Sequence, residues 1–181
     1  MKKAITLCII LILLFSTQAQ AGQRSEFFSF MSYRAITYRN SRQWQMQQSA
    51  WTDFDGLRRY NSLIMVAIGT GHGHFVGDEI YITLSSGMSF PAIVGDIKCD
   101  RHTDPTNRFT AHNNCWLEFI VCIPSICPIA RNRGDISFKG FYGYVVSIEA
   151  HNIYFCHGYM LCLPWCEYCG NYSVPYYWLL H

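Results

Sequence analysis

Met88-Ser89-Phe90-Pro91-Ala92-Ile93-Val94 runs straight into Gly95-Asp96-Ile97-Lys98-Cys99-Asp100-Arg101-His102-Thr103-Asp104. The first stretch reads as an apolar strand and the second as a loop. Trp116 to Val121 reads as the next strand, with Glu118 alone between Leu117 and Phe119. One strand thus delivers three aspartates, a lysine, an arginine and a histidine into a single loop, and another presents a glutamate. Two carboxyl groups in different environments take different pKa values, so one serves as acid and the other as base. The plain alternative is that these aspartates cap turns and pair with the nearby Arg and Lys.

Working outward, the same grammar repeats. Leu63 to Ile68 is apolar, and Gly69-Thr70-Gly71-His72-Gly73-His74 is a glycine-rich loop. Glu79 to Leu84 alternates, with Ile80, Ile82 and Leu84 on one side. Ser85-Ser86-Gly87 forms a hairpin turn into Met88. Residues 123–135 form a Pro- and Arg-bearing loop, and Phe141 to Glu149 is a last strand. Short strands separated by turn residues predict a small all-β barrel. Upstream, residues 22–40 show no period. Asn40 or Ser41 is placed to cap a short helix over Arg42 to Ala50, and Thr52-Asp53-Phe54-Asp55-Gly56 is turn chemistry.

The start of the chain reads as an export leader. Lys2 and Lys3 precede an apolar stretch from Ala4 to Phe15, and Ala19-Gln20-Ala21 offers small residues for cleavage before Gly22. That stretch is too short for a comfortable membrane span. An uncleaved N-terminal anchor is the alternative. Four segments are therefore expected: a signal peptide (1–21), an N-terminal arm with a short helix (22–59), a β-barrel domain (60–149) and a Cys- and aromatic-rich tail (150–181). The mature protein is expected to be secreted, periplasmic or cell-wall associated, with no stable membrane span.

Charge narrows the partners. The surplus of +2 belongs to the two leader lysines, so the mature chain is balanced. No dense basic run is present, which argues against nucleic acid. Cys8 leaves with the leader, and eight of the nine cysteines remain. An even set in an exported chain reads as disulfides, although eight cysteines allow 105 pairings. Cys99 and Cys115 bracket the acidic loop, and a bridge there would contribute about 3 kcal/mol through the unfolded chain. Cys122 and Cys127 flank a short turn. Cys166-Glu167-Tyr168-Cys169, with Cys156 and His157, has zinc-knuckle spacing, but disulfides are the favoured reading in this compartment. His72 and His74, with Asp100 or His102, form a weaker metal alternative. No metal and no cofactor is expected.

Several of these pieces together resemble a group of secreted bacterial and phage proteins. The matching residues are Ser49-Ala50-Trp51-Thr52-Asp53, Met65-Val66-Ala67-Ile68-Gly69, Gly77-Asp78, Gly95 through Asp104, Asn107-Arg108, Leu117 to Val121, and Arg131 with Gly134-Asp135-Ile136. That group in turn is similar to the three-aspartate (3D) wall-hydrolase domain, a six-stranded double-psi β-barrel shared with lytic transglycosylases. The resemblance covers about 85 residues and stops before residue 150. It matches Asp96 to the second aspartate of the pattern and Glu118 to the third, with Glu for Asp. Gly69 stands where the first aspartate would be, and Asp100 to Asn114 looks inserted.

The resemblance implies a secreted protein active on the cell wall, of peptidoglycan lytic transglycosylase type. Such chemistry needs only one carboxyl group to protonate the leaving oxygen and then accept the sugar hydroxyl's proton, unlike most hydrolytic glycosidases. Glu118, between apolar neighbours, is the expected acid, with Asp96 orienting it or the sugar. Asp100, Arg101, His102 and Asp104 are expected to touch substrate, which is peptidoglycan or another wall polysaccharide. The alternative is a non-catalytic barrel that binds a wall polymer or a protein. A third reading is a secreted effector stabilised by disulfides, for which only the tail speaks.

Overall fold

The computed structural model describes residues 28–137, 140–156, 159–163 and 174–175, the last three segments beyond residue 151 by backbone alone. The leader and the zinc-knuckle spacing at Cys166 and Cys169 lie outside the described residues. Among those described, no helix is long and apolar enough to cross a membrane.

The protein is mainly β. One sheet carries eight strands in a path β1-β7-β4-β6-β5-β8, with β2 and β3 as a ribbon off β4. The strands are β1 (Phe30–Ser32), β2 (Trp51–Thr52), β3 (Arg58–Tyr60), β4 (Leu63–Gly69), β5 (Glu79–Leu84), β6 (Ser89–Lys98), β7 (Leu117–Val121) and β8 (Val145–Ala150). The expected count of six strands is therefore low, and the sheet does not close: its path ends at β1 and β8. β9 (Asn152–Cys156), β10 (Tyr159–Leu163) and β11 (Val174–Pro175) make a separate three-stranded sheet.

Alternation places the core. Val66 and Ile68 of β4, Ile80 and Ile82 of β5, Ala92 and Val94 of β6, and Leu117, Phe119 and Val121 of β7 all point to one face and are buried there. The sheet wraps this cluster, and burial of each large aliphatic side chain contributes roughly 1.5–3 kcal/mol. Phe141 anchors one part of it, with ring centroids 4.7 Å from Phe119 and 5.1 Å from Phe90.

The opposite face has a smaller cluster of Met65, Ala67, Ile93 and Ile120, covered by Met46 from helix α1 (Arg42–Ser49). The helix starts as its sequence directs: the Ser41 hydroxyl accepts the Trp44 N–H at 3.2 Å. Helix α2 (Pro128–Arg133) was not expected in the 123–135 loop. Its Ala130 N–H bonds the Cys127 thiol, so a cysteine occupies the usual place of Ser or Asp.

Two connections differ from the sequence reading. β6 does not end at Val94 but continues to Lys98, because β4 lies parallel beside it and pairs Ala67 with Asp96, Ile68 with Ile97 and Gly69 with Lys98. The ladder shifts register between Val66 and Ala67, which leaves Gly95 as an extra residue, a β-bulge. No bridge joins Cys99 to Cys115: Cys99 is an exposed thiol, and the Cys115 sulfur faces the Asn113 carbonyl. Cys122 and Cys127 are likewise not joined to each other.

Candidate functional site

The bulge decides where Asp96 goes. Ala92 and Val94 face the large core, and strict alternation would send residue 96 there too. The extra residue at Gly95 reverses the phase, so Asp96 pairs with Ala67 on the opposite face. A side chain at 95 would strike Ile120 and Met65, which is why glycine stands there. On the other side of β4, Ala67 pairs with Glu118 of β7. Asp96, Ala67 and Glu118 form one row across three strands, the outer two about 10 Å apart by strand spacing.

Lys98 completes the row. It pairs with Gly69 on β4 and reaches over that strand to make an ion pair with Glu118 Oε2. Ser29, one residue before β1 and 1% exposed, donates its hydroxyl to Glu118 Oε1 at 3.2 Å. Glu118 itself is 8% exposed, so both oxygens are engaged at a buried position.

Asp96 is half-buried and differently held. Desolvation pushes its carboxyl above the ordinary carboxylate value. The Ile97 N–H, the Lys98 charge and the Gln43 side chain pull the other way, and the charge on Glu118 adds to the upward push. The two carboxyls in one row thus differ: Glu118 is ion-paired, while burial pushes the Asp96 pKa up. Sequence reasoning named both residues, with Glu118 as the acid and Asp96 as its support; alternation alone does not reveal the Lys98 ion pair with Glu118.

The acidic loop behaves otherwise. Asp100 to His102 form a single 3₁₀ turn. Asp100 accepts the Thr70 hydroxyl at 2.7 Å, and Arg101 and His102 are exposed. Asp104 accepts the Thr106 hydroxyl and the backbone N–H groups of Thr106, Arg108 and Phe109. Partial burial pulls its pKa up, but those four bonds outweigh this and hold it down to about 2. Asp104 is the organiser of its own loop. Among the described residues, the side-chain bonds of Asp100 and Asp104 go to Thr70, Thr106 and loop N–H groups rather than to Asp96, Lys98 or Glu118.

The glycine-rich loop explains itself by the same contact. A Cβ at Gly69 would run into the Asn107 carbonyl and one at Gly71 into the Thr106 carbonyl. Gly71 N–H bonds the Asn107 carbonyl at 2.9 Å, and Arg108 Nε returns a bond to the Gly71 carbonyl at 3.0 Å. His72 packs its ring against Trp116 at 5.1 Å and sets Nε2 3.1 Å from the Arg108 carbonyl. Desolvation lowers its pKa, which fits a neutral ring donating from Nε2. Among the described residues no group of three His, Cys, Asp or Glu is placed to hold a metal ion.

Other aspartates in the matched pieces also close turns. Asp53 accepts the N–H groups of Asp55 and Leu57 and pairs with Arg59 at 2.7 Å. Asp78 accepts the Phe75 N–H, and Asp135 accepts those of Phe28 and Ser137. No protein-family model, curated protein or solved structure matches the chain.

Proposed function

We propose that the protein is an exported, cell-wall-directed enzyme of lytic transglycosylase type, acting on peptidoglycan or a related wall polysaccharide, and a distant relative of the three-aspartate double-psi barrels. The parallel pairing of β4 with β6 and of β1 with β7 supports a crossed-strand architecture of that kind. The single observation that carries the chemistry is the row Asp96–Ala67–Glu118 with its two unlike carboxyls. Asp96, with its raised pKa, gives its proton to the glycosidic oxygen as the bond to the anomeric carbon breaks. The sugar's 6-hydroxyl oxygen then bonds the anomeric carbon, and its proton passes to Asp96. Both the anhydro product and the original protonation state result, with no water consumed. Glu118, fixed by Lys98 and Ser29, keeps a negative charge beside Asp96 and positions Lys98.

The test is mass spectrometry of purified peptidoglycan after incubation. Wild type releases anhydro-muropeptides, Asp96→Asn lowers their formation about 100-fold or more, and Glu118→Gln lowers it less. A second reading, binding of a wall polymer without cleavage, draws on Glu118, both of whose oxygens are taken by protein partners. Under it the wild type sediments with wall material and no anhydro product forms.

A further inference from the structure

The same face of the sheet carries a second feature. Between the segment after β1 and helix α1 lies an open cleft of about 340 Å³, lined among others by Tyr33, Arg34, Arg39, Trp44, Gln47 and Gln48. That volume is within the range of small-molecule sites. The lining has a definite chemistry. It includes two arginines and no carboxylate. Residues 27–52 contain Arg34, Arg39 and Arg42 and not one Asp or Glu. Neither Arg34 nor Arg39 makes an ion pair among the described residues, and both are exposed.

The cleft is also rigidly backed. Arg58 stacks its guanidinium 4.5 Å from the centroid of the Tyr33 ring and bonds the Gln47 side chain and carbonyl at 3.1 and 2.8 Å. Tyr33 and Gln47 are therefore held before any ligand arrives. Trp44 adds an aromatic surface and Gln48 an amide. Helix α1 links this cleft to the carboxylate row, since its Gln43 side chain acts to lower the Asp96 pKa while its Trp44, Gln47 and Gln48 line the cleft.

We infer that the cleft is a binding subsite for an acidic saccharide, one that presents a carboxylate to Arg34 and Arg39 and a sugar face to Trp44. Guanidinium groups pair with carboxylates in a fork, aromatic rings take the apolar face of a sugar, and amides serve its hydroxyl and acetamido groups. The identity of the saccharide as a wall glycan rests on the function proposed above. The subsite anchors the chain at a distance from the reacting bond and selects for charge.

The experiment is calorimetry on the Asp96→Asn protein, which separates binding from cleavage. The probes are peptide-free glycan strands bearing muramic acid carboxylates, a chitooligosaccharide of equal length, and polyglutamate. The charged glycan is expected to bind at least about tenfold more tightly than the neutral one. Arg34→Gln with Arg39→Gln is expected to abolish that preference, with circular dichroism unchanged. Equal affinity for the charged and neutral glycans overturns the inference, and this arm needs no arginine variant. So does an unchanged preference in the double variant, and so does polyglutamate binding as tightly as the charged glycan, which would make the cleft a peptide site. Charge-selective binding without anhydro product from wild type sinks the proposed chemistry and leaves the subsite standing. Anhydro product without charge-selective binding does the reverse.

Discussion

The acidic loop from Asp100 to Cys115 and the strand row of Asp96, Lys98 and Glu118 are neighbours in sequence and opposites in organisation. In the loop, Asp104 spends its oxygens on the backbone of its own turn, and the turn is pressed against Gly69 and Gly71. In the row, Glu118 bonds only side chains from distant strands, and Asp96 sits at a bulge that aims it away from the core. A carboxylate surrounded by its own loop's N–H groups is a stable anion with nothing left to exchange. A carboxyl that is desolvated and shares its row with a like charge has its pKa pushed up instead. Density of charged letters is therefore a poor guide here, and the parity of strand residues is a better one.

The sharpest way to break this contrast is to unpair the row. Lys98→Met leaves Glu118 buried without its cation and should cost about 3–5 kcal/mol in urea unfolding. Adding Glu118→Leu should recover most of that loss, because a matched apolar pair replaces a half-empty ionic one. A small effect of Lys98→Met alone would mean that Ser29 is enough to hold Glu118 in place. The loop is tested next by Gly71→Ala, which drives a methyl into the Thr106 carbonyl and should cost about 1–3 kcal/mol. Faster hydrogen exchange at Arg108 and Phe109 should accompany it.

Acid titration separates the two regions by sign. The Asp104 pKa is lowered to about 2 from 3.8, so its stabilisation is complete above 3.8 and is lost as pH falls through about 2. Asp104→Asn should cost about 1 kcal/mol near pH 7. The gap to wild type should shrink steadily below pH 3.8. Asp96 has the opposite sign. Its folded pKa is raised, so its favourable share is present below 3.8 and fades as pH rises through the raised value. Asp96→Asn should stabilise the fold at neutral pH, by under about 1 kcal/mol, while removing the proposed proton donor. Two acid-unfolding curves of parallel shape for these variants would erase the distinction drawn between loop and row.

How much of this was legible in the sequence follows from range. The alternation of Ile80, Ile82 and Leu84 gave β5 with its bounds, and Ser41 gave the start of α1, because both signals are local. The hairpin at Ser85-Ser86-Gly87 was equally plain. The parallel pairing of β4 with β6 was not, since nothing within either strand names its partner. Gly95-Asp96 carries the letters of a turn, and only the neighbouring Ala67 makes it strand. Likewise Glu118 was visible as a lone carboxylate among apolar residues, but Lys98 and Ser29 reach it from strands far off in the chain. The cleft beside α1 left one faint trace, a stretch of arginines without acids, that counting charge over the whole chain averaged away. The cysteine count pointed to bridges that the geometry around Cys99 and Cys115 does not make.

The bulge at Gly95 also divides β6 into two halves that obey opposite rules. Before it, positions 90, 92 and 94 face the large core, while Ile93 between them is buried in the smaller cluster on the other face. After it, the parity shifts by one, and Ile97 inherits the apolar duty that plain counting assigns to 96 and 98. The rhythm of contact with the large core therefore skips half a period at one glycine. Any comparison that slides this strand against another by hydrophobic rhythm alone will fall out of step there, and will lay Asp96 over a core position.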